Sequence, residues 1–72
     1  MSIGDRLKST RIDHDQEQKD IAEVLNVSEK QIIRYEKDRQ EMGIQKLKDF
    51  CLHYHVSADY ILGLPKNLDW PR

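Results

Sequence analysis

In the stretch NVSEKQIIRYE, residues 26–36, a carboxylate (Glu29), two cations (Lys30 and Arg34) and an apolar Ile33 fall on one side of a helical wheel. Val27, Ile32 and Tyr35 fall on the other side, as a buried face would. Lys30 and Arg34 are four residues apart, so one partner can meet both heads. Such a face is either a solvated surface with a stray isoleucine or a surface that reads a polar partner. A second set of reactive types is Cys51, His53 and His55, of which Cys51 and His55 share a helical face. No further ligand accompanies them, and a Cys/His catalytic pair needs a pocket and an orienting acid. The expectation is no metal, no cofactor and no enzyme, with Cys51 acting as a small buried hydrophobe.

The 72-residue chain is short enough for one domain near the lower limit for an independent core. With 38% hydrophobic and 35% charged residues, it suits short helices sharing one small core, not a pocket for a small-molecule substrate. One cysteine excludes an internal disulfide and fits a reducing cytoplasm. No apolar run is long enough for a membrane span or a signal peptide, so no membrane partner is expected. The net charge of −1 stands mildly against nucleic acid, although binding depends on where charges sit.

Helix signals run through the chain, and no alternating stretch suggests a strand. Ser2 with Asp5 opens a first helix, along which Ile3, Leu7 and Arg11 follow at four-residue spacing. A second runs from about Gln18 to Leu25 with Ile21, Ala22 and Leu25 on one face, and Asn26 suits the left-handed residue that ends it. Ser28 with Gln31 predicts a capping box for a third helix, and Val27 with Ile32 a hydrophobic staple. Staples recur as Met42 with Leu47 around Gly43 and as Val56 with Ile61 around Ser57. They predict helices at about 44–54 and 58–62, the last stopped by Gly63 and Pro65. The expected architecture is all-α, five short helices over residues 1–64, followed by an irregular tail at 65–72.

Only Asn26, Val27 and Ser28 join the second and third helices, which forces a steep crossing with small Ala22 facing Ile32. This is a helix-turn-helix, whose second helix can project into a DNA major groove. The runs QKDIAEVLNVSEKQIIRYEKDRQ and LKDFCLHYHVSADYILGL resemble the phage-repressor/Cro-like (XRE) helix-turn-helix family over residues 2 to about 64. Gln18, Ala22, Leu25, Val27, Ser28, Ile32, Tyr35, Glu36, Leu47, Val56, Ser57 and the closing ILGL carry the resemblance. It implies the lambda-repressor-like fold and sequence-specific binding of double-stranded DNA, usually as a dimer on a palindromic operator.

By the same resemblance, Ser28, Glu29, Lys30, Ile33 and Arg34 stand at positions facing the groove, and Gln18 at one that bonds a phosphate and braces the recognition helix. The chemistry agrees: Lys30 and Arg34 can reach guanine O6 and N7, Glu29 can accept from cytosine N4, and Ile33 can pack on a thymine methyl. Lys37 and Arg39, in the following loop, are expected at phosphates. From Ser28 to Gln40, four basic residues against three acidic ones leave a local charge of +1 in a chain of −1. The resemblance also implies a salt bridge between Arg11 and Glu36, with Glu36→Ala expected to cost ~1–3 kcal/mol through an orphaned Arg11.

The chain departs from the family before Gln18, where an apolar residue and then Ser or Thr are usual. Here Gln16 and Glu17 lie in an acidic run with Asp13 and Asp15. The run loses the staple of the second helix, predicts a displaced capping box of Asp15 with Gln18, and would repel a phosphate near Gln18. Asp38 and Met42 replace a customary Gly and Pro and look tolerable. Tyr60, Leu64, Leu68 and Trp70 are candidates for self-association, against a fold-back of Trp70 over the core. The expected function is a transcriptional regulator acting as a homodimer. The alternative is a protein-interaction module of the same fold, such as an antitoxin or antirepressor, which suits the acidic balance.

Overall fold

The structure, a computed structural model, describes residues 1–65. Helix starts and stops are set locally. Ser2 Oγ accepts from Asp5 N (3.1 Å) and Asp5 Oδ2 accepts from Ser2 N (3.1 Å), opening α1, Ile3–Asp13, with a reciprocal box. Ser28 Oγ accepts from Gln31 N (3.2 Å) at the start of α3, Glu29–Glu36, and Ser57 Oγ from Tyr60 N (3.1 Å) at the start of α5, Ala58–Leu62. Between them lie α2, Gln18–Leu25, and α4, Ile44–Tyr54, the latter following Gly43. Among the described residues there are five helices and no strand, the all-α lambda-repressor-like arrangement.

Two expected caps differ. Gln31 does not reach back to Ser28; its Nε2 donates to Tyr35 Oη (3.2 Å), one turn further along. The mostly buried tyrosine needs a hydroxyl partner, and side chains four apart on a helix meet. Nor does Asp15 pair with Gln18. Asp15 is left-handed (φ 55°) and belongs to the end of α1, with its N–H on Ile12 O (2.9 Å). Glu17 caps α2 instead, its N–H donating to Asp20 Oδ2 (2.8 Å).

Each helix ends on a left-handed residue: Asp15, Asn26, Asp38, His55 and Gly63. The next residue's N–H then folds back onto the last turn, as Val27 N does on Ala22 O (3.0 Å) and Val56 N on Cys51 O (3.1 Å). His55 holds φ 55° while exposed, and none of its side-chain atoms is hydrogen-bonded among the described residues. His55→Gly is therefore expected to stabilise the fold by about 0.5–1 kcal/mol, removing left-handed strain without losing a contact. Thermal unfolding should rise by a few degrees; an unchanged or lower midpoint contradicts this.

The core is Leu7, Ile21, Ala22, Leu25, Ile32, Tyr35, Phe50, Tyr54 and Ile61, with Val27, Met42, Leu47, Cys51 and Val56 packed against it. Every helix contributes, and Phe50 meets Tyr54 edge-on at 4.8 Å. α1 packs on α3 and α5, α2 on α3 and α4, and α4 on α5. At the α1–α3 contact Gly4 is required: a Cβ there would lie 2.5 Å from Glu36 O and 2.7 Å from Tyr35 O. Gly4 N also donates to Asp38 Oδ1 (2.8 Å), so the residue that replaces the customary turn glycine closes this approach. Burial pushes the Cys51 thiol pKa up, and no cluster of metal-ligating side chains occurs among the described residues. No described helix is long and apolar enough to cross a membrane. Leu68 and Trp70 lie outside the described residues.

Candidate nucleic-acid interface

The turn Asn26–Val27–Ser28 sets α3 against α2, and the core side of α3 is locked by three buried residues, Ile32, Tyr35 and Glu36. Its opposite side carries Ser28, Glu29, Lys30 and Arg34 exposed and Ile33 half-buried. Lys30, Ile33, Arg34, Lys37 and Arg39 together line one open depression of about 270 Å³. Four cations surround one aliphatic side chain there, with no carboxylate in the lining. Ser28 and Glu29 stand at the first turn of α3, outside this depression.

Beneath it lies a buried polar cluster. Arg11 Nε donates to Glu36 Oε2 (2.7 Å) and Nη2 to Glu36 Oε1 (3.1 Å), a bidentate pair joining α1 to α3. Gln18 Nε2 donates to Glu36 Oε1 (3.1 Å), which ties the first residue of α2 to the last of α3. Arg11 Nη1 donates to Gln16 O (2.9 Å). The bonds to Glu36 raise the Arg11 pKa, against the opposing effect of burial, so the guanidinium stays charged. No buried side-chain polar atom lacks a partner among the described residues. Glu36 is thereby occupied internally, and the positive character of the α3 surface is not offset by it.

Gln16 was passed over as a departure, yet its Oε1 accepts from Tyr54 Oη (2.9 Å) and faces His53 Nε2 (3.1 Å). The available signal was a polar residue where the family places an apolar one, which implies a polar partner facing it. Burial pushes the Tyr54 pKa up to about 12 from 10.0, with Arg11 opposing more weakly. The folded state then holds this proton at pH values where the unfolded chain has released it. Stability is expected to be unaffected by Tyr54 below about pH 10 and to fall as pH rises towards 12. A denaturation series across that window should show a shallower loss in Tyr54→Phe; identical slopes exclude this origin.

No protein-family model matches the chain. It is 38% identical over 63 residues to the HTH-type transcriptional regulator ImmR of Bacillus subtilis (strain 168), covering 88% of the chain and 50% of that protein. It is 44% identical over 39 residues to a putative pre-16S rRNA nuclease of Lacticaseibacillus casei, covering 54% of the chain and 26% of that protein. The chain thus spans about half of the first relative and a quarter of the second. In structure it is similar to a transcriptional regulator from Listeria innocua (TM-score 0.84, 24% identity, 99% of the chain and 65% of that one). It is also similar to the P22 c2 repressor, crystallised with a synthetic operator (TM-score 0.80, 22% identity, 86% of the chain and 94% of that one). At these identities the structural likeness speaks for the fold.

Proposed function

From the premise that the chain is a helix-turn-helix domain of the phage-repressor/Cro-like (XRE) family, we propose that it is a transcriptional regulator that reads double-stranded DNA. It acts as a repressor, binding a palindromic operator as a homodimer, with residues 1–64 as the reading domain and 65–72 as a tail. The observation that carries this is the two-sidedness of α3. Its inner side is locked by core and ion pair, while Lys30, Ile33, Arg34, Lys37 and Arg39 form a cationic depression on a chain of net charge −1. Nucleic-acid binding responds to such local charge.

In this reading α3 enters the major groove. Lys30 and Arg34 donate to guanine, Ile33 covers a thymine methyl, Glu29 accepts from cytosine, and Ser28 lies at the groove edge. Lys37 and Arg39 meet phosphates on one side and Gln18 on the other. The acidic turn before α2 opposes a phosphate near Gln18, so the affinity is modest. Tyr60 and Leu64, both partly exposed, offer apolar surface for self-association.

The test is binding of duplex DNA from upstream of the chain's own gene, titrated against salt, beside a scrambled duplex. Arg34→Ala is expected to cost about 1–3 kcal/mol on the cognate site only. Lys37→Ala should weaken all sequences alike and reduce the salt slope by about 1. Equal losses on both duplexes for Arg34→Ala would make it a backbone contact. A salt-insensitive wild type would favour the protein-interaction alternative, to which the acidic turn is suited.

A further inference from the structure

We propose that Gln16 and Tyr54 are positioning residues for Gln18, through which α4 holds the start of α2 and so sets the phosphate contact made there. The inference rests on the DNA-reading function above.

Gln16 sits in the turn between left-handed Asp15 and the cap residue Glu17. It is held at every polar group that bears on its orientation. Its N–H donates to Arg11 O (3.2 Å) and its carbonyl accepts from Arg11 Nη1 (2.9 Å). Its side-chain oxygen accepts from Tyr54 Oη (2.9 Å) and faces His53 Nε2 (3.1 Å). Two residues on, Gln18 donates to Glu36, the same carboxylate that Arg11 grips. Tyr54, Gln16, Arg11, Glu36 and Gln18 therefore form one continuous polar path from α4 through the turn to the recognition helix.

The α4 end of this path is rigid. Tyr54 is 3% exposed, and its ring is packed by Phe50, His14 and His53 with centroids at 4.7–4.8 Å. A buried hydroxyl without an acceptor is costly, so Tyr54 holds Gln16 as firmly as Gln16 holds the turn. The bond is neutral, and salt does not screen it. That matters in a turn flanked by Asp13, Asp15 and Glu17, whose mutual repulsion would otherwise spread it and carry Gln18 off the phosphate line.

The test uses the full chain as wild type, Gln16→Leu, Gln18→Ala and the double variant. Binding to cognate and scrambled duplexes is followed over a salt series, beside thermal unfolding and amide hydrogen exchange without DNA. Gln16→Leu should weaken binding to both duplexes about three- to tenfold and lower the salt slope by about 1, as loss of one phosphate contact does. In the Gln18→Ala background it should cost nothing more, because it acts through Gln18. Amides of residues 15–20 should exchange faster while unfolding stays cooperative. Tyr54→Phe should shift the slope in the same direction but less, with His53 still facing Gln16, and it serves if Gln16→Leu does not fold. Wild-type affinity in Gln16→Leu, or a loss that adds to that of Gln18→Ala, overturns the inference. A wild type that binds no duplex overturns the DNA reading instead; the exchange data then decide the clamp, and unchanged protection at 15–20 removes it.

Discussion

Glu36→Ala is expected to destabilise the folded chain by about 3–5 kcal/mol, the cost of breaking a buried ion pair from one side. Glu36 accepts from Arg11 Nε, Arg11 Nη2 and Gln18 Nε2, and the two ionised side chains are 10% and 5% exposed. Alanine would leave a charged guanidinium buried with only the carbonyl of Gln16 for a partner. The third bond and the depth of the pair raise the cost above the ~1–3 kcal/mol expected for an orphaned arginine alone. Domains of this size have about 3–5 kcal/mol of total stability, so much of the variant should be unfolded at 25 °C. Denaturant unfolding followed by circular dichroism measures this directly, and a midpoint equal to wild type would refute it. Replacing Arg11 and Glu36 together by methionine should recover most of the loss. The pair contributes less through its own attraction than through the penalty of separating it.

Gly4→Ala should destabilise by about 2–3 kcal/mol, and its sign is the informative part. On helix propensity alone, alanine inside α1 would stabilise by up to ~1 kcal/mol. The added methyl, however, would stand 2.5 Å from Glu36 O and 2.7 Å from Tyr35 O, both backbone atoms that no rotamer change can move. Relief requires sliding α1 off the end of α3, which lengthens the Gly4 N–Asp38 Oδ1 bond of 2.8 Å and strains the Arg11–Glu36 pair. The thermal midpoint should fall by roughly 10 °C or more, at 4–8 °C per kcal/mol for a small domain. A rise in the midpoint would mean that the helices yield freely at this contact.

Much of the fold is legible in the chain. Ser2, Ser28 and Ser57 mark helix starts, Asn26 and Gly63 mark ends, and the paired apolar residues around each start lie in or against the single core. The α3 surface is legible too, because helical periodicity alone separates Ile32 and Tyr35 from Lys30, Ile33 and Arg34. The misreadings share one character. Gln31 prefers the hydroxyl of Tyr35 to the backbone of Ser28, and Asp15 ends one helix where it was expected to begin the next. Both residues have two local options of similar energy, and burial or chain direction outside the local window chooses between them. Asp38 and Gln16 looked like tolerated departures, and each holds a contact across the fold.

By itself, then, the sequence determined where helices begin and end and which of their faces is apolar. Caps, left-handed terminators and staples act within about five residues, so their physics is complete in the local chain. Only the tertiary structure decided which polar groups meet. Gly4 with Asp38, Gln16 with Tyr54 and Gln18 with Glu36 are 34, 38 and 18 residues apart. Arg11 and Glu36, 25 apart, were brought together beforehand only by family resemblance. A hydrogen bond forms or fails over a few tenths of an ångström. That accuracy exists only after the shared core has set the distances between helices, so the bonds that fix Gln18 and α3 are properties of the packed molecule.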